Sequence, residues 1–190
     1  MRPSLAVIIL WTVSLVYISL IYTHAFFDRA VNFDQHGLTV SAATDDPERQ
    51  LIALLVVVLI SYTVCMLFFE NGLQAISPLV NIFLVLFLTG MFATILVRLS
   101  WWIEGHYIAA SFVFLSSIGL VLALAPHSEP LWLSLALAAM ISVLFFPSLQ
   151  FRMNNNAQSI VWMRIMAATE LACVLVVCFQ LYLFFRTNTK

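Results

Sequence analysis

Residues 78–99 read PLVNIFLVLFLTGMFATILVRL, and from Pro78 to Val97 no residue carries a charge. At 1.5 Å of rise per residue, a helix needs about 20 apolar residues to cross the hydrocarbon core of a bilayer. This stretch meets that need alone. Ser77 followed by Pro78 supplies the start signal, a side-chain oxygen to cap the first N–H groups and then a proline where the missing N–H is no loss. Working outward from it, similar apolar runs recur in both directions, and spans are expected at 5–27, 50–69, 78–99, 107–125, 131–149 and 159–185. The expected fold class is all-α, a polytopic integral membrane helical bundle of about six transmembrane helices. A single transmembrane domain covers 1–190, with an acidic extramembrane loop at 28–49.

Composition agrees. The chain is 63% hydrophobic and 9% charged, against roughly 45–50% apolar and about 25% charged in ordinary soluble domains. A water-soluble fold of this size lacks the polar residues to cover its surface. The net charge of -1 leaves neither a nucleic-acid footprint nor a polybasic patch, so no nucleic-acid partner is expected. Cys65, Cys173 and Cys178 all lie in apolar runs without a C-x-x-C pair and read as small buried apolar residues.

Punctuation sets the boundaries. Asp46-Pro47-Glu48 reads as a cap, a first-turn proline and a first-turn acid, so a helix starts there. Asn71-Gly72 suits a C-terminal cap. Two prolines in Ala125-Pro126-His127-Ser128-Glu129-Pro130 predict a tight hairpin, with Ser128 capping the next helix. Pro147 is expected to kink the fifth span or close it early. Arg2, the apolar run after it and Thr23-His24-Ala25 resemble a secretory signal, and the segment reads as an uncleaved, signal-anchor-like first span. The loop at 28–49 sets five acids against Arg29 and Arg49. It reads as a solvated connector, with a partner-docking loop or a cation-attracting vestibule as the alternative. Arginine counting and the Arg2-led first span give opposite orientations for the termini.

Chemistry-bearing residues are few. Glu170, inside the last span, is the leading intramembrane candidate, because a carboxylate at that depth costs a few kcal/mol unless protein, water or a proton meets it. Its readings are an ion or proton site and a helix-docking carboxyl. Asn81 joins it as an intramembrane polar candidate. Arg164 lies six residues away, off the face of Glu170, and is expected to snorkel. Arg98, Trp101, Trp102, Glu104 and His106 crowd a short connection. An aromatic belt at headgroup level accounts for most of that cluster, and a lipid-headgroup or quinone pocket is the sharper reading. His24, His36, His106 and His127 fall at span ends or in loops, which disfavours a bilayer haem; His106 reads as an ordinary interfacial histidine, with a pH-responsive pair with Glu104 at a mouth as the alternative. The lone lysine, Lys190, is terminal, so a retinal Schiff base is excluded. No phosphate-cradling, serine-hydrolase, zinc-protease or dinucleotide motif occurs, and neither a cofactor nor a metal is expected. The two halves share no matching Gly or Pro interruptions, which lowers the expectation of a transporter.

The expected function is a non-catalytic integral subunit of a larger membrane complex, packing helices and contacting lipid. Its expected partners are the lipid bilayer and other integral membrane subunits, or further copies of the chain. The alternative is a small oligomeric channel or transporter with Glu170 in the path, its polar lining completed by Asn81, Ser61, Thr63, Ser116 and Ser117. A lipid- or quinone-interacting enzyme subunit stands third.

Overall fold

The computed structural model describes residues 9, 12, 47–70, 77–98, 101–153 and 160–188, except for the side chains at 47–49, 67, 70, 103, 147–153, 160–168, 170 and 171. The expected first span and the acidic loop before residue 47 fall outside the described residues, apart from two isolated helical positions. Among the described residues 92% are α-helical and none is in a strand, so the all-α class stands. Five helices follow one another: α1 Pro47–Glu70, α2 Pro78–Leu96, α3 Ile103–Leu124, α4 Leu131–Met153 and α5 Ile160–Asn188, with a 3-10 turn Ala125–His127 between α3 and α4. Two stretches among the described residues, Pro78–Leu96 and Glu104–His127, are long and apolar enough to cross a membrane. Gln50–Met66, Leu131–Phe146 and Ala172–Asn188 are shorter apolar helical stretches. Length and apolarity thus single out two of the six expected spans.

The predicted start signals hold at α1 and α2. The first begins at Pro47. At the second, Ser77 adopts an extended backbone and its hydroxyl accepts from the Leu79 N–H at 3.2 Å. Three details differ. Helix α3 begins at Ile103 rather than 107: Trp102, with a non-helical backbone, takes the N-cap position, and Glu104 suits the positive end of a helix. Helix α4 continues through Pro147 to Met153 instead of closing early. Ser128 does not cap α4: its hydroxyl donates back to the Leu124 carbonyl at 2.9 Å, closing the end of α3.

Helices α1 and α4 each bury one stripe, whereas α5 has no exposed residue from 172 to 185. In α1 the stripe is Ala53, Val57, Ile60, Val64 and Phe68; in α4 it is Ser134, Ala138, Ile141 and Phe145. Steps of three and four residues keep such positions on one face. Helix α3 is central, packed by α2, α4 and α5. It runs antiparallel to α2, and glycine sets how closely the two approach. A Cβ on Gly90 would lie 3.0 Å from Val113 Cγ2 and 3.1 Å from the Val113 nitrogen. Backbone therefore meets backbone at Gly90, the close approach that small residues permit between apolar helices. Lower on the same pair, the Phe83 ring covers Gly119.

Candidate functional site

The start of α1, the end of α2 and the start of α3 meet at one end of the bundle, where orphan helix-terminal carbonyls need donors. Gln50, in the first turn of α1, donates from Nε2 to the Ile95 carbonyl at 2.8 Å. Its Oε1 accepts from Arg98 Nε at 2.8 Å and from Arg98 Nη2 at 2.5 Å. One carboxamide therefore ties α1 to the end of α2 and fixes the guanidinium. On its other side Arg98 lies over the Trp101 ring, 4.4 Å from the centroid, a cation–π contact. The Trp101 and Trp102 N–H groups both donate to the Arg98 carbonyl, at 3.1 and 3.2 Å.

His106 completes this end. It is 1% exposed, and its Nδ1 lies 2.7 Å from the Val97 carbonyl. A carbonyl only accepts, so Nδ1 carries the proton and the imidazole closes the last turn of α2 from the first turn of α3. His106 and Glu104, two residues apart, thus face different surroundings. Helix α3 starts early enough to turn His106 inward, while Glu104 is exposed.

Beside the Arg98 turn a hollow of about 330 Å³ opens between α2 and α3. Gly90, Ala93 and Val97 line one wall and Gly105 and Ala109 the other, with the Trp102 ring at its end. Small residues, Gly90, Ala93, Gly105 and Ala109, face the hollow from both helices and leave it unfilled. Gly105 is needed for the ring's placement, since a Cβ there would lie 2.2 Å from a Trp102 ring carbon. Thr89 and the Trp102 indole are the only polar side chains in its lining.

At the opposite end the bonds between elements run between uncharged groups. Gln180 is 0% exposed and donates from Nε2 to Ser128 Oγ at 2.9 Å. Thr187 Oγ1 accepts from the Glu129 N–H at 2.9 Å, and Asn188 Nδ2 donates to the His127 carbonyl at 3.0 Å. Gln180 Oε1 and Ser134 Oγ are buried and have no partner among the described residues. Val121, Ala138 and Val176 pack in one cluster. Ser134 precedes Ala138 by a turn and Gln180 follows Val176 by a turn on the neighbouring helix, so these two groups share a layer with Ser128.

Of the sequence candidates, the structure brings Arg98, Trp101, Trp102 and His106 together and leaves Glu104 apart. Asn81 sits in the first turn of α2, near the Ser77 cap. Glu170 has its backbone in α5, and its side chain lies outside the described residues, as does that of Arg164. Thr63 and Ser116 bond main-chain carbonyls of their own helices, Thr63 at 2.8 Å to Leu59. Ser117 does the same at 2.6 Å to Val113 and also meets Cys173 Sγ at 2.7 Å. Gln50 and Gln180 were not singled out by the sequence reading. The signal available was an amide at the edge of, or inside, an otherwise apolar run. Among the described residues no group of three His, Cys, Asp or Glu side chains could hold a metal ion.

No family model matches this chain, and no match is found among curated proteins or solved structures.

Proposed function

We propose that the chain is a non-catalytic, multi-pass integral membrane protein that serves as a subunit of a larger membrane assembly. The observation that carries this reading is the uncovered apolar face of its peripheral helices. On α1 Leu51, Leu55 and Tyr62 are exposed, and on α4 Trp132, Leu135 and Val143 are, the last at 69%. Soluble proteins rarely expose contiguous apolar patches beyond a few hundred Å². Lipid and partner helices are the surroundings that suit such a surface. The helices carrying the shorter apolar stretches are 24, 23 and 29 residues long, long enough in backbone to cross a bilayer. The bonding within the bundle fits a scaffold: Thr63, Ser116 and Ser117 close on helix carbonyls rather than facing a water path. The channel alternative rests on Glu170, and nothing among the described residues favours it.

A photo-crosslinking residue at Val85 of α2 or Val143 of α4, activated in the native membrane, tests the subunit reading. The expected product is a discrete adduct with another integral membrane polypeptide, in constant ratio, while the purified chain in liposomes passes no ions or protons. Lipid adducts alone at both positions, or selective flux through the pure protein, would contradict it.

A further inference from the structure

Arg98 is held by neutral groups alone. Its partners are a carboxamide and an indole face, and no carboxylate among the described residues pairs with it. Glu104, the nearest acid in sequence, is exposed on the first turn of α3 and does not pair with it. A guanidinium carries five N–H donors. Gln50 takes two of them, so three donors in the same plane and, among the described residues, a charge that no anion offsets remain. Arg98 adjoins Val97, which lines the end of the hollow between α2 and α3, and Trp102 closes that same end. A cation with spare planar donors matches the geometry of a phosphate. The hollow beside it is lined almost wholly by apolar atoms and is partly open. The exposed rings of Trp101 and Trp102 belong at headgroup level, where an aromatic body and a polar edge are both accommodated.

From these features we infer that the α2–α3 hollow holds an acyl chain of an anionic phospholipid whose phosphate sits on Arg98. The inference rests on the membrane reading above. The two chemistries belong to one molecule because they adjoin: the apolar trough takes hydrocarbon and the cation at its mouth takes the anion. Gln50 acts as a positioning residue, since its Oε1 holds the guanidinium plane without neutralising it. Gly90, Ala93, Gly105 and Ala109 set the width of the trough, and a larger side chain on either wall fills it. A zwitterionic lipid fits the trough equally well and gains less from Arg98, because its own ammonium competes for the phosphate. Selectivity therefore resides in the charge and capacity in the trough.

Bromine on acyl chains quenches tryptophan on contact, which makes Trp101 and Trp102 reporters of the site. The chain carrying Trp11→Phe, Trp132→Phe and Trp162→Phe is reconstituted in phosphatidylcholine vesicles in which either the phosphatidylcholine or a minor phosphatidylglycerol component is brominated. The expected result is about fivefold preferential association of phosphatidylglycerol, the scale of one arginine acting on an anionic headgroup. Arg98→Gln removes the preference and leaves quenching by phosphatidylcholine in place, and Arg98→Lys, which keeps the charge, retains much of the preference. Ala93→Leu weakens quenching by both lipids. Equal association of the two lipids, or a preference that survives Arg98→Gln, overturns the inference. Failure of the membrane reading has a different signature: no brominated lipid quenches any tryptophan, including the exposed Trp132 of the unaltered chain.

Discussion

The two ends of the bundle solve the same problem with different chemistry. At both, helix termini leave carbonyls without donors, and at both a glutamine reaches between helices. Gln50 bonds the Ile95 carbonyl and Arg98, and Gln180 bonds Ser128. The first end bonds through a charged group, is partly exposed and opens onto a hollow; the second bonds through uncharged groups, among them Thr187 and Asn188, and keeps its glutamine wholly buried. A packed neutral network specifies how helices join. A cation that no anion among the described residues offsets, at the rim of an apolar trough, leaves room for something else to bind.

The sharpest way to break this contrast is to make one substitution at both ends. Gln180→Glu buries a carboxylate with no cation at hand and is expected to cost at least about 3 kcal/mol at neutral pH. Gln50→Glu gives Arg98 the anion it lacks, at the loss of one bond to Ile95, and is expected to change stability by less than about 1 kcal/mol. Thermal unfolding in detergent measures both. Equal losses would show that the ends are alike.

Next in size is His106→Leu. It leaves the Val97 carbonyl without its donor and should lower stability by about 1–2 kcal/mol, read in the same melts. An unchanged melting temperature would mean that the imidazole is not holding the end of α2. Trp101→Ala removes the ring beneath Arg98 and is expected to cost about 0.5–1 kcal/mol. A double-mutant cycle with Arg98→Gln separates that contact from the loss of area, and a coupling of zero would remove the cation–π contact from the account. Smallest of all is Ser134→Ala. Because the Ser134 hydroxyl is buried with no partner among the described residues, its removal should leave stability unchanged or raise it by a few tenths of a kcal/mol. A clear loss would reveal a bonding partner in that layer, such as a buried water bridging to Gln180.

What could be read from the sequence follows the same division. Helix starts at Pro47 and Pro78 were legible because caps and prolines act locally. The stripes Ala53–Val57–Ile60–Val64 and Ala138–Ile141–Phe145 were not. The exposed positions beside them, Leu55, Val58, Leu59 and Val143, are as apolar as the buried ones, so burial has a helical period that hydropathy lacks. Orienting these helices takes packing contacts, such as Gly90 on Val113. The crowding of Arg98, Trp101, Trp102 and His106 was visible as proximity along the chain. The inward turn of His106 was not, because it depends on Trp102 ending the connection and starting α3 four residues earlier than apolarity indicated. Gln50 and Gln180 escaped notice because an amide carries no charge to draw attention, although each joins segments more than 40 residues apart.

The central claim is that the apolar flanks of these helices face hydrocarbon while the Arg98 end lies at the membrane surface. With Cys65, Cys173 and Cys178 replaced by alanine, spin labels placed singly at Val85, Leu115 and Glu104 in liposomes test it directly. Relaxation by oxygen, which partitions into lipid, is compared with relaxation by a water-soluble nickel chelate. Oxygen should dominate at Val85 and Leu115 and the chelate at Glu104. A chelate that reached Val85 as readily as Glu104 would contradict the account.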